Sequence, residues 1–156
     1  MGDAPSILVA FGMQLEAGKL TPTNDVYMLE LGSLRWTKNQ LPGAPSPRFH
    51  HSATMIGHRL YLFGGTTNGH DCCNDFYVLD TVRYSWYKMT SPGCPPARRC
   101  HAALSIGKNL IVHGGVDADG NNLDDAYIYN VGMQHVTPVL SLSSVLVAEV
   151  SLRTGT

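Results

Sequence analysis

Six side chains between positions 70 and 101 carry groups that ligate metals or act as nucleophiles: His70, Cys72, Cys73, Cys94, Cys100 and His101. Neither standard zinc spacing is present, because Cys72 and Cys73 are adjacent and Cys94 is separated from Cys100 by a stretch too long for a Cys-x-x-Cys hook. Scattered thiols are the simpler reading, and no metal or other cofactor is expected. A serine or cysteine nucleophile needs a base, and the candidate bases His51 and His101 occupy the same place in a repeated pattern, which points to a shared structural task. Glycine pairs at Gly64-Gly65 and Gly114-Gly115 would suit a phosphate if a helix followed, but none is predicted there. No enzyme activity is expected from these residues.

Composition narrows the partners. The 156 residues hold 11 Lys+Arg against 12 Asp+Glu, a net charge of −1, so nothing favours nucleic acid or an anionic membrane. Hydrophobic residues make up 44% and charged ones 15%, a balance that buries most side chains, and 16 glycines imply many turns. No apolar run reaches the roughly 18 residues of a membrane span, and Met1-Gly2-Asp3-Ala4-Pro5 lacks the basic flank of a secretory signal. Four cysteines, two of them adjacent, suit a reducing compartment, so a cytoplasmic location is expected, with the nucleus as the other option. Gly2 with Ser6 matches the bare myristoylation pattern, but Asp3 and Pro5 beside the acyl site argue against it.

What must position these groups is a repeat. A shift of 50 places superposes Asp25, Asp75 and Asp125, then Tyr27, Tyr77 and Tyr127, then Trp36 and Trp86. The same shift lays Pro42-Gly43 on Pro92-Gly93, Arg48 on Arg98, His51 on His101, and Gly64-Gly65 on Gly114-Gly115. In the first unit Phe11-Gly12-Met13 is matched to Phe63-Gly64-Gly65, 52 residues on, with two extra residues placed in the following loop. Each unit reads as four short strands. In the second these are His51 to Ile56, Leu60 to Phe63, Phe76 to Leu79 and Ser85 to Met89, divided by turn residues and free of helical spacing. Middle strands apolar on both faces need cover on both faces, and stacking such sheets around an axis supplies it.

Arg48-Phe49-His50-His51-Ser52-Ala53, then Leu60 to Gly65, then Asn74-Asp75-Phe76-Tyr77-Val78-Leu79-Asp80-Thr81, then Trp86, resemble one complete kelch repeat. The resemblance covers about Ile7 to Asn130 and implies an all-β fold: a partial, open kelch-type β-propeller of about three four-stranded antiparallel blades. The kelch-repeat region is placed at 1–132, with units at approximately 7–47, 48–97 and 98–132, followed by a divergent tail at 133–156. Some kelch propellers are copper-containing galactose oxidases, whose tyrosine, histidine and cross-linked cysteine ligands cannot be placed in this sequence.

Repetition assigns structural tasks. Gly64, Gly65, Gly114 and Gly115 let the chain leave the second strand at positive φ. Tyr27, Tyr77, Tyr127, Trp36 and Trp86 are expected to fill the wedge between sheets with their polar atoms bonded. Arg48 and Arg98, each three residues before His51 and His101, are expected to bond loop carbonyls or the repeated aspartates between sheets. Arg98, flanked by the unrepeated Arg99, is also a candidate for reaching a partner.

In an up-and-down sheet the loop after the second strand and the link out of the fourth share an end. The long segments all lie there: Gly12 to Asn24, Thr66 to Asn74, Val116 to Asp124, Asn39 to Pro47 and Thr90 to Ala97. Within them the repeat identity vanishes, which nominates Asn68, His70, Asp71, Arg98, Arg99, Asp117 and Asp119 for binding a protein or peptide partner. The expected function is a protein-interaction scaffold or substrate-recognition module. The alternatives are a metal-dependent enzyme and a fragment of a larger propeller without activity of its own. Three blades cannot close a ring of four to eight, so self-association through open blade faces is a further expectation. The third unit fades after Asn130, Val136 stands where a third tryptophan is due, and Ala148 stands where a third arginine is due. A closing strand, an assembly segment and sequence foreign to the repeat all remain open for the tail.

Overall fold

The computed structural model describes residues 6–90 and 92–139. The Gly2 acylation site and most of the tail, from 140 on, lie outside these residues. Eleven strands and no helix are found among them: β1 (Ser6–Glu16), β2 (Lys19–Glu30), β3 (Arg35–Asn39), β4 (Ser52–Ile56), β5 (Arg59–Phe63), β6 (Phe76–Asp80), β7 (Ser85–Met89), β8 (Ala102–Ile106), β9 (Asn109–His113), β10 (Ala126–Asn130) and β11 (His135–Val139). They form three antiparallel sheets in chain order, β1-β2-β3, β4-β5-β6-β7 and β8-β9-β10-β11. These are consecutive blades of an open kelch-type propeller, as the repeat predicts.

The blades are held by their faces. Along β5 side chains alternate sides, so Leu60 and Leu62 join Leu79 and Trp86 against Phe11 and Val26 of the first blade. Tyr61 and Phe63 join Phe76 and Val78 against Leu110, Val112, Tyr129 and Val136 of the third. The central blade is therefore buried on both sides, and each large apolar side chain so buried contributes about 1.5–3 kcal/mol. Gly64, at positive φ, makes the approach possible, because a Cβ there would lie 2.6 Å from the Arg98 carbonyl oxygen and 3.0 Å from the His101 Cε1 of the third blade.

Five details differ from the sequence-based expectation. Gly12 to Asn24 is not a loop. It is most of a long hairpin whose turn, Ala17-Gly18, has positive φ at both positions, the two-residue geometry that matches strand twist. The first-unit alignment moves by one residue: Phe11 (φ 64°) and Gly12 (φ 119°) take the places of Gly64 and Gly65, so the shift is 53 rather than 52. The Gly12 amide donates to the Arg48 carbonyl at 3.0 Å just as the Gly65 amide donates to the Arg98 carbonyl at 2.9 Å. Phe11 bears the strain of a left-handed backbone, and its ring is inserted edge-on against Trp86 at 5.4 Å.

Trp36 does not fill a wedge between sheets. It is 52% exposed, on the face of the first blade that no described residue covers, whereas Trp86 is 5% exposed between two blades. The buried Trp86 indole Nε1 also finds no acceptor among the described residues, against the expectation that these polar atoms are bonded. Finally, the third blade does not fade at Asn130. His135–Val139 completes it as a fourth strand paired with β10, with Val136 buried at the tryptophan position, so the boundary at 132 falls inside this blade.

Candidate partner-binding site

The long-segment end of the blades is built on a repeated fork. Arg48, 1% exposed, donates through both terminal nitrogens to the Asp75 carboxylate, through Nη1 to the Gly64 carbonyl (3.1 Å) and through Nε to the Ser46 carbonyl (3.2 Å). Arg98 repeats this with Asp125 (2.5 and 2.9 Å), the Gly114 carbonyl (3.0 Å) and the Pro96 carbonyl (3.1 Å). The guanidinium carbons sit over the Tyr77 and Tyr127 rings, at 5.8 and 5.2 Å. This explains the recurring Asp-x-Tyr: one residue holds the fork and the other is the shelf beneath it. The Arg98 bonds keep the Asp125 carboxyl below the usual carboxylate range.

The fork works within a blade, joining the entry of its first strand to the entry of its third, rather than between sheets as expected. Arg98, fully buried with its donors engaged, is corrected from partner-binding candidate to structural residue.

His51 and His101 do join blades. The His51 Nε2 donates to the Ala10 carbonyl of the first blade (3.3 Å), and His101 Nε2 pairs with Ser52 Oγ of the second (2.7 Å). Burial first, then the nearby Arg48 and Arg98 charges, pushes both rings down to about 4, so they are neutral imidazoles at pH 7.

Above this framework the loops fix themselves. The Asn68 side-chain oxygen accepts the His70 and Asp71 amides (2.9 and 3.0 Å), and its amide donates to the Asp71 carboxylate (2.8 Å). Asp117 accepts from the Asn121 backbone and side chain (2.8 and 2.9 Å), which hold its carboxyl low. Arg99 ties two blades together through Nη1 to the His70 carbonyl (2.6 Å) and Cys72 Sγ (3.7 Å). Of the nominated residues, Asn68, Asp71, Arg99 and Asp117 thus shape the loops, while His70 and Asp119 are exposed on them.

Sequence reasoning weighed Cys100 only as a thiol and did not nominate it or His50 for partner binding; both are exposed and both at positive φ (56° and 57°). A signal existed in the repeat, since the two differ at an otherwise shared motif position. Among the described residues no disulfide forms and no group of three or more metal-ligating side chains converges.

The profile of the KLHDC2/KLHL20/DRC7 Kelch-repeats domain matches residues 4–146. The chain belongs to the kelch-repeat family. Over 42 residues, 26% of this chain, it is 50% identical to Host cell factor of Drosophila melanogaster and to Host cell factor 1 of Homo sapiens, covering 3% and 2% of those proteins. It is 43% identical over 53 residues, 31% of the chain, to Rho GTPase-activating protein gacHH of Dictyostelium discoideum, covering 3% of it. The chain therefore spans a small fraction of these kelch relatives. The solved structure of YjhT superposes with a TM-score of 0.75 at 14% identity, covering 92% of this chain and 51% of that one, which establishes the shared fold.

Proposed function

We propose that this kelch-repeat chain is a protein-interaction module whose partner, a protein or peptide, docks on the long-loop end of the blades. The observation that carries the reading is a division of labour. Buried Arg-Asp forks, Asn68 and Asp117 consume their polar groups in holding the loops, leaving His50, His70, Cys100 and Asp119 exposed on a rigid base. The kelch-repeat family match and the Host cell factor relatives, which carry the matching segment within much longer proteins, support an interaction module in general terms.

A cleft of about 640 Å³ at the opposite, tight-turn end, lined in part by Glu30, Arg35, His58, Val82 and Tyr84, supplies the competing surface. Photo-crosslinking side chains placed singly at His70, Asp119, Val82 and Tyr84 in source cells distinguish the two. Discrete protein adducts from His70 and Asp119 alone are expected. Adducts confined to Val82 and Tyr84, or equal at both ends, would contradict the proposal.

A further inference from the structure

The second and third blades are both four-stranded, and their inner strands β4 and β8 meet where Ser105 Oγ donates to the Met55 carbonyl (3.3 Å). Farther out, toward the tight-turn end, the two sheets part around a cleft of about 220 Å³, lined in part by Arg59, Tyr61, Tyr87 and Met89 of the second blade and by Tyr129 and Val131 of the third. Tyr61 pairs with Val78 and Val78 with Tyr87, so these two phenols stand in one row of the face turned to the third blade, with Arg59 one row nearer the turns. Between the first and second blades the same places hold Leu8, Thr37 and Leu79 instead of Tyr61, Tyr87 and Tyr129, and Ser6 instead of Arg59. Packing accounts for part of the change. Tyr129 pairs with Val136 where Leu79 pairs with Trp86, so a large ring beside a small residue replaces a small residue beside a large ring. A phenylalanine would fill that space equally well. The hydroxyls and the guanidinium are what this cleft holds beyond packing.

These groups are donors with weak partners. The buried Tyr129 donates through its hydroxyl to Met89 Sδ at 3.7 Å, and a thioether is a poor acceptor. The Arg59 guanidinium bonds the Tyr61 hydroxyl oxygen, which leaves the phenol proton to donate onward. Burial, then the neighbouring Tyr61 and Tyr87, pushes Tyr129 up to about 12, and burial also raises Tyr61, so both keep their protons at pH 7. Where the cleft widens toward the turns, Arg83 and His58 join Arg59 on its wall. Asp80 is the one carboxylate lining that part among the described residues, and it is turned to its own loop, accepting the Val82 and Arg83 amides (2.9 and 3.0 Å).

We propose that the cleft between the second and third blades binds a small organic acid. Its oxyanion is held by Arg59 and the Tyr61 and Tyr129 hydroxyls, and its apolar body lies against Val131 and the tyrosine rings. A planar guanidinium fork beside hydroxyl donors matches an oxyanion, and a concave site with apolar walls and a few convergent donors is the usual form of a small-ligand site. The cleft lies at the end opposite the long loops, so its failure would leave the proposed function untouched.

The test titrates the whole chain by calorimetry with benzoate, with benzamide as its uncharged counterpart, with inorganic phosphate as an oxyanion without an apolar body, and with a glutamate-containing tripeptide. Benzoate is expected to bind about ten-fold tighter than benzamide and tighter than phosphate or the tripeptide. Arg59→Gln should remove about ten-fold of benzoate affinity, and Tyr61→Phe with Tyr129→Phe, which keeps both rings and therefore the packing, about three-fold or more. Arg35→Gln, which deletes the same charge in the cleft between the first and second blades, should leave benzoate binding unchanged. Absence of binding at millimolar benzoate, equal affinity for benzoate and benzamide, phosphate or tripeptide binding as tight as benzoate, or an equal loss from Arg35→Gln would each overturn the proposal.

Discussion

Arg48 is the residue on which the second blade most depends. Its charge is buried and matched by one carboxylate and two carbonyls, and removing one partner of such a pair leaves the other uncompensated. Arg48→Ala is expected to lower unfolding stability by about 3–5 kcal/mol in a urea titration. Arg48→Lys keeps the charge but loses the planar fork, so it should recover only part of that loss. His51 and His101 give a separate, pH-dependent signature. With ordinary values near 6.5 and folded values of about 4, the unfolded chain takes up protons that the folded chain refuses. Stability contributed by the neutral rings is complete above pH 6.5 and is lost progressively as pH falls toward 4. Thermal melts between pH 7 and 4.5 should show this decline, and His51→Gln with His101→Gln should flatten it. An unchanged slope would mean that the rings are not the proton-linked groups. These arginines and histidines were legible in the sequence because a shared task repeats. For Arg98 the repeated place predicts bonds to a loop carbonyl and an aspartate, which the fork with Asp125 provides, whereas the neighbouring Arg99 also suggested a partner-binding role that its burial removes.

At the scale of strands, the two tryptophans separate sequence position from environment. Both stand at the same repeat place, yet Trp86 lies between blades and Trp36 lies on a face without a described neighbour. Trp86→Ala should cost about 3–5 kcal/mol, whereas Trp36→Ala should cost well under half as much, measured by the same denaturant titration. Equal losses would imply that both blades are covered alike. The β1–β2 hairpin is a second case. Leu15 opposite Leu20 and Met13 opposite Pro22 place apolar residues on one of its faces, while Glu16 opposite Lys19 faces the other way. That alternation is present in the sequence, but the positive-φ Phe11 where a glycine was due shifted the alignment, and the hairpin passed for a loop. β11 escaped for a similar reason: valine at the tryptophan position fills the same gap between blades with a smaller side chain, so the landmark vanished while the packing remained. Where one residue type is required, as with Arg and Asp, the sequence reads clearly. Where any apolar group of adequate size will serve, it does not.

For the whole molecule, the central claim is that like sheets stack in chain order, burying the middle blade on both faces and leaving the β1 edge open among the described residues. The order of protection follows from this. β5 and β6 lie inside the sheet and between neighbours, so they should open only with global unfolding, whereas an edge strand with one covered face should open locally. Hydrogen–deuterium exchange of the whole chain at pH 7 tests this directly. The account predicts the slowest exchange in Arg59–Phe63 and Phe76–Asp80, with Ser6–Ala10 exchanging far faster. Protection of Ser6–Ala10 equal to that of the central strands, or fast exchange throughout the second blade, would contradict it.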